Sequence, residues 1–461
     1  PGRYVWCAGW SYLFGDGLVA MRLSCVIFQM LGMYAGLLAA RRIRTNWGFL
    51  IIVALTLAVW MRPRYKLFEQ SITLMAIYVA VWLLENPTLR RQFIAGMFVG
   101  LMAIMGRNHG VYLLASFRIV IAWSLPGGPA AIWFRKTLAW GSGIVAGYSP
   151  MLAAYGLIPG FFEASLAQII EIIEEGTNLS RPVPWPWRVP GQLGGIWWLS
   201  AFVQSSFYVA LLAIGALFIW RLCRASRGKD MRPVVIASGA IALIYTHYTF
   251  SRPDAVHLTH SVPAMILATL ALSLRSLGSL APPRLASSPA LISVVLLVGS
   301  TVAMILEFGF MREPMNPPLT YQRRTVAGED LIVHVDHARV LDLALKLSRE
   351  IASSDDQILF LPHHPGLYVA TGRRSPIRQI YFMRQESIAA DERIVQEIDA
   401  RKVKWVMLQD TRLDDRDELR FRNTNPLTFD YLVQHFGALR LEPASRDFVV
   451  LGRRGPAASG H

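Results

Sequence analysis

Charge is scarce in this chain, and acidic charge is scarcest in its first two thirds. Of 461 residues only 17% are Asp, Glu, Lys or Arg, while 53% are hydrophobic. Residues 1–310 hold 10 Asp/Glu against 24 Lys/Arg, whereas the remainder holds 21 against 22. Nearly all of the net +15 therefore sits in the apolar part. There it occupies short loops between long apolar runs, which suits membrane topology and argues against nucleic acid as the partner. Cysteine is limited to Cys7, Cys25 and Cys223, whose spacing fits neither a metal site nor a disulfide framework, so buried thiols are expected. No P-loop, no Rossmann glycine pattern and no repeat of 20–50 residues occurs, and no motif names a cofactor. The opening Pro1-Gly2-Arg3 has no initiator Met, signal peptide or leading apolar segment, and reads as the start of a fragment.

What is present is apolar length. A spanning helix needs about 20 apolar residues. Ten stretches are candidates: 21–40, 48–61, 69–84, 93–105, 111–124, 137–157, 196–220, 233–249, 261–275 and 289–310. Those at 93–105 and 111–124 are short enough to form a shallow hairpin around Gly106–Gly110. The expected fold class is a polytopic all-α membrane bundle of about ten helices over 1–310. A small α/β domain over 311–455 and a disordered tail at 456–461 follow. In the α/β domain, helices are expected near 337–353, 388–401 and 426–435, with strands at Gln357–Leu361 and Val403–Leu408. A terminal hairpin pairs Leu439–Glu442 with Phe448–Leu451. Adjacent His363 and His364 point apart and make a poor metal pair; the run Asp410–Arg422 reads as a solvated charged face.

Loops 41–44, 85–92, 125–136, 221–232 and 275–288 hold twice the basic residues of the alternate set, which makes them cytoplasmic. Thr246–His260, the N-terminus and 311–461 then face outward. The expected location is a bacterial cytoplasmic membrane, crossed many times, with the C-terminal domain extracytoplasmic. Outward basic residues are informative because topology does not require them. Arg62, Arg64 and Lys66 lead into a span beginning at Glu69. Arg107 and His109 lie in Gly106-Arg107-Asn108-His109-Gly110, and Arg252, Asp254 and His257 punctuate Thr246–His260. Interfacial anchors snorkelling to headgroups are the plain alternative for any one loop, and three such loops on one face favour a site. Leu166, Ile169, Ile170 and Ile173 fall at helical spacing within 163–176, giving an amphipathic helix on the membrane surface, and Trp185 and Trp187 follow among prolines.

Outside the cytoplasm there is no ATP, so chemistry on this face needs an activated donor that arrives through the membrane. A lipid-linked phosphosugar fits: Arg and Lys at headgroup depth neutralise its phosphate, and a carboxylate deprotonates an acceptor hydroxyl.

Four local patterns carry a resemblance. They are Pro1-Gly-Arg-Tyr with Leu13-Phe-Gly-Asp-Gly and Met21-Arg22; Lys66-Leu-Phe-Glu69; Gly106-Arg-Asn-His-Gly-Val-Tyr112 with Arg252-Pro-Asp-Ala-Val-His257; and Phe360-Leu-Pro with Tyr368-Val-Ala-Thr-Gly-Arg-Arg. Together they resemble the GT-C superfamily of polytopic glycosyltransferases, including protein O-mannosyltransferases and lipid A aminoarabinose transferases, in a bacterial uncharacterised branch. The resemblance implies transfer of a sugar from a polyprenyl-phosphate donor, in contact with membrane lipid, to a lipid, glycan or protein acceptor. It implies donor contacts from Arg62, Arg64, Lys66, Arg107 and Arg252. Glu69 would be a second carboxylate for the acceptor or a divalent cation, and His109, Asp254 and His257 orienting groups, with Glu69 and Asp254 the catalytic candidates. The family's first-loop acidic residue would precede Pro1, so the chain as given lacks that general base. Asp16 reads as a helix N-cap instead. A flippase of lipid-linked sugars and an O-antigen ligase or polymerase stay as alternatives.

Overall fold

The computed structural model describes residues 2–15, 17–61, 68–124, 129–175, 179, 181–225, 231–276, 289–305, 321–439, 441 and 447–454. The chain divides into two compact units, Pro1–Gly309 and Phe310–His461.

The first unit is helical. Its described helices are α1 (Gly2–Phe14), α2 (Leu18–Arg41), α3 (Trp47–Trp60), α4 (Phe68–Glu85), α5 (Leu89–Met105), α6 (Arg107–Ser124), α7 (Ala130–Leu157), α8 (Phe161–Glu175), α9 (Gly195–Arg224), α10 (Pro233–Ser251), α11 (Ala255–Ser276) and α12 (Pro289–Ala303). Local chemistry starts several of them. Asn46 and Thr88 cap α3 and α5 by accepting from Phe49 N–H and Arg91 N–H. Pro233 opens α10, where its missing N–H costs nothing.

Each of the ten apolar stretches carries one helix, the last ending at Ala303 with residues 306–310 outside the described residues; among the described residues, length and apolarity mark five helices as able to span: α2, α4, α9, α10 and Ala255–Ser273 within α11. A sixth is counted if α7 and Phe161–Ile170 of α8, bent by 112°, form one broken span. Five or six of the expected ten are thus marked as spans, and the shorter helices fall below the mark for a geometric reason. At 1.5 Å per residue, the 14 residues of α3 reach about 21 Å, short of a hydrocarbon core of about 30 Å. The helix α1 was not expected at all. These apolar helices make the chain a multi-pass membrane protein. Most side chains of α10 and α11 within the spans are buried, whereas α2, α7 and α9 leave Met30, Tyr34, Val145, Leu152, Leu212 and Ile219 exposed, faces suited to lipid.

The helices α5 and α7 meet backbone to backbone. Gly96 and Gly100 of α5 and Gly143 and Gly147 of α7 repeat the Gly-x-x-x-Gly spacing. A Cβ on any of them would collide with a carbonyl oxygen of the facing helix: Trp140, Ile144, Phe93 and Met97, respectively. In lipid, where apolar tails compete equally for apolar faces, such close approach is a main source of helix association.

In the second unit, a four-stranded sheet runs β3 (Ile358–Leu361), β4 (Trp405–Gln409), β6 (Phe448–Arg453), β5 (Phe436–Leu439), with β3 and β4 parallel and the other pairs antiparallel. Helices α13 (Val335–Lys346), α14 (Gly366–Thr371), α15 (Ile388–Ala400), α16 (Phe421–Thr424) and α17 (Pro426–His435) accompany it. The helices expected near 337–353, 388–401 and 426–435 are present. The expected strands at 357–361 and 403–408 are present within one or two residues. The last hairpin begins earlier than expected, at Phe436, and Glu442 lies outside the described residues, as does the tail. A hairpin of β1 (Tyr321–Val326) and β2 (Glu329–His334) was not anticipated. Its two-residue turn, Ala327-Gly328, has φ of 52° and 84°, the paired positive values of a type I′ turn, with Ala standing where Asn or Asp is usual.

Substituting Leu for Gly143 is expected to force α5 and α7 apart, at a cost of about 1–3 kcal/mol or more. A drop in detergent Tm with loss of the monodisperse peak in size-exclusion chromatography checks this. An unchanged Tm would contradict the backbone contact.

Candidate functional site

One end of the helical bundle collects polar groups from six helix termini. Glu69 sits in the first turn of α4 and His109 in the first turn of α6, while Met105 ends α5. Tyr245 and Tyr248 lie in the last two turns of α10, and His257 and His260 in the first two turns of α11. Arg3 enters from the start of α1, where Gly2 packs on the backbone of Ile104.

Glu69 is 1% exposed, and a buried carboxylate needs a cation or donors. Arg3 supplies both: its Nη1 donates to Glu69 Oε1 at 2.8 Å and its Nε to the Met105 carbonyl at 2.8 Å. That carbonyl belongs to the last turn of α5, where no intrahelical donor remains. The other carboxylate oxygen, Oε2, is buried and accepts no hydrogen bond among the described residues; neither does the buried His109 Nε2. His109 Nδ1 is 3.0 Å from the Tyr245 hydroxyl. Next to Glu69, Gln70 Nε2 donates to Thr259 Oγ1 at 2.7 Å, tying α4 to α11.

A second polar group forms between α10 and α11. Asp254 Oδ1 accepts from the His257 backbone N–H at 2.9 Å, capping α11, and lies 2.7 Å from His257 Nδ1. Its Oδ2 accepts from Arg252 Nε at 2.8 Å. Burial alone would raise the Asp254 carboxyl, but the hydrogen bonds and charge of His257 and the bond from Arg252 outweigh it and hold the group well below the usual carboxylate range. Tyr208 Oη donates to the Asp254 carbonyl at 3.0 Å.

Aromatic rings join the two groups. Tyr248 stacks on His260 with centroids 4.7 Å apart and lies 5.8 Å from His257 and 6.1 Å from His109.

Of the residues singled out from sequence, Glu69, His109, Arg252, Asp254 and His257 thus gather at this end. Arg107 starts α6 but turns toward α8, where its Nη2 donates to Gln168 Oε1 at 2.6 Å. Arg62, Arg64 and Lys66, like Asp16, lie outside the described residues. The sequence reading missed Arg3, Tyr245, Tyr248 and His260 as site members. Tyr248 and His260 belong to the Thr246–His260 stretch, and Arg3 to the opening motif, so the signal was present without being weighed. In the second unit, His364 Nε2 lies 2.6 Å from Gln409 Oε1. Burial, and then the charge of His364, pushes His363 down to about 4. Asp410–Arg422 is laced with ion pairs, among them Arg412–Asp417 and Arg416–Glu418. Among the described residues no three His, Cys, Asp or Glu side chains are grouped to hold a metal.

No family model and no curated protein matches the chain. Among solved structures it is similar to the archaeal oligosaccharyltransferase AglB from Archaeoglobus fulgidus, determined in complex with an inhibitory peptide and a dolichol-phosphate. The identity is 12% and the TM-score 0.42, over 95% of this chain and 64% of that one, so this chain spans less than two thirds of that protein's length.

Because Asp254 is depressed in the folded state, its contribution is complete above the unfolded carboxylate value of about 3.9 and is lost as pH falls through the lower folded value. Wild type is therefore expected to melt above Asp254→Asn at pH 7, with the gap narrowing steadily below about pH 4. Detergent Tm measured against pH for both proteins checks the sign; a gap that widens in acid would exclude it.

Proposed function

We propose that the helical unit is a glycosyltransferase that moves a sugar from a polyprenyl-phosphate donor to an acceptor hydroxyl or amide at this polar end of the bundle, on the outer face of a bacterial cytoplasmic membrane. The observation that carries the reading is Glu69: a buried carboxylate with one oxygen fixed by Arg3 and the other left to accept a proton.

In such a transfer the acceptor atom attacks the anomeric carbon, the bond from that carbon to the phosphate oxygen breaks, and the acceptor proton moves to a base. Glu69 Oε2 is the base in this reading. Its position is fixed by the bond that Arg3 donates to Oε1. The His109 imidazole, held by Tyr245 through Nδ1, offers Nε2 to the acceptor or to a sugar hydroxyl. The leaving phosphate gains charge, which cations at headgroup depth stabilise. Arg62, Arg64 and Lys66 fall within seven positions of Glu69 in the sequence and are assigned that role together with Arg252. Asp254 spends both oxygens on His257 and Arg252 and so serves as a positioning residue. No metal is required by this scheme. The mobile acceptor and the identity of the sugar enter only through their chemistry: a nucleophile with a transferable proton and a lipid phosphate.

Glu69→Gln keeps the size and the contact to Arg3 but removes the base. It is expected to lose about 10²–10⁴ in kcat/KM with polyprenyl-phosphate sugars as donors, while Tm and chromatographic behaviour stay near wild type. Turnover close to wild type would sink the assignment.

A further inference from the structure

Sequence spacing gives no reason to pair Cys7 with Cys25, yet α1 and α2 bring them together. Trp6 Nε1 donates to the Ser24 carbonyl at 2.9 Å, and its ring meets Phe28 edge-on with centroids 5.3 Å apart, which pins this turn of α1 onto α2. One residue further along each helix, the contact turns to sulfur. Ser24 Oγ donates to Cys7 Sγ at 3.3 Å, which sets the Cys7 sulfur against the residue that precedes Cys25 on α2. Cys25 is 9% exposed and Cys7 half-buried, so one thiol is reachable and the other is shielded beside it. The third cysteine, Cys223, is exposed on α9. Arg3 and Cys7 are four residues apart, hence one turn apart on the same face of α1. Whatever fixes Cys7 to α2 also fixes the residue that holds Glu69.

We propose that Cys7 and Cys25 are a redox pair whose disulfide clamps α1 to α2 and holds Arg3 on Glu69. The reaction is thiol–disulfide exchange. The Cys7 thiolate attacks a small-molecule or protein disulfide and releases one thiol. The Cys25 thiolate then attacks Cys7 sulfur in the mixed disulfide and releases the second. Two protein thiols lose two electrons and two protons, and the oxidant disulfide becomes two thiols. The order follows from exposure: Cys7 meets the reagent, and Cys25 resolves it. Oxidation restrains α1, whose described length of 13 residues is too short to hold its place as an independent helix in water.

The test uses the whole chain carrying Cys223→Ser, purified reduced in detergent and treated with dithiodipyridine. The expected result is release of two thiopyridones per protein and an intact mass lower by two hydrogens with no adduct. A proteolytic fragment joining Cys7 to Cys25 should appear, with a raised Tm that falls back on adding dithiothreitol. With Cys25→Ser added, a single stable adduct on Cys7 is expected and no rise in Tm. Two retained pyridyl adducts, a Cys7 adduct that never resolves, or no reaction short of unfolding would each overturn the proposal. None of these readouts involves sugar transfer, so the result stands apart from the assigned activity.

Discussion

A carboxylate buried in an apolar bundle is tolerated only where a cation and donors meet it. Glu69 is such a group, and its cation comes from Arg3, on a helix outside the candidate spans. The bond from Arg3 to the Met105 carbonyl then draws in the end of α5. One arginine therefore ties together the starts of α1 and α4 and the end of α5. The polar residues of α6, α10 and α11 are arranged around the carboxylate so held. Remove the arginine and Glu69 is an unpaired buried charge, a state that costs several kcal/mol in systems where it has been created. The site and the packing of its end of the bundle share a single dependence.

The candidate site was partly legible because membranes make charge conspicuous. Glu69, His109, Arg252, Asp254 and His257 stand out where apolar runs start and stop, and ionisable groups there are costly unless they are used. What could not be read was pairing. Arg3 lies 66 positions before Glu69, with two apolar stretches between, and no local periodicity relates them. Tyr245 and Tyr248 look like ordinary span residues, since a tyrosine at a helix end is also the usual interfacial anchor. Only the packing of α10 against α6 and α11 gives them their neighbours. Arg107 shows the converse. Its position in the motif placed it with the others, yet its side chain follows α8, because helix direction at the first turn decides where a side chain reaches.

Fold was read best where periodicity is strong. The helices of the second unit and its two inner strands fell close to expectation, since each alternates or repeats with a clear hydrophobic face. The β1–β2 hairpin escaped because its strands carry charged residues, including Arg323, Arg324, Glu329 and Asp330, and its turn uses Ala where a stronger signal would be Asn. The number of spans is matched only to five or six, for a different reason. Apolar composition reports that a segment avoids water, whereas crossing also demands length. The close pairing of α5 with α7 was missed because glycine reads as flexibility in a sequence, while in a lipid-facing helix it marks where another backbone comes near.

That backbone contact has a mechanical consequence. The helix α5, about 25 Å long from its 17 residues, cannot slide along α7, because carbonyls of each helix fill the space over the glycines of the other. The pair behaves as a single strut, and the far end of that strut is the carbonyl on which Arg3 rests. Through the Met105 carbonyl the position of Arg3, and with it that of Glu69, is referred to α7 as well as to α5, so a change in the glycine seam is carried to a carboxylate that touches neither glycine pair.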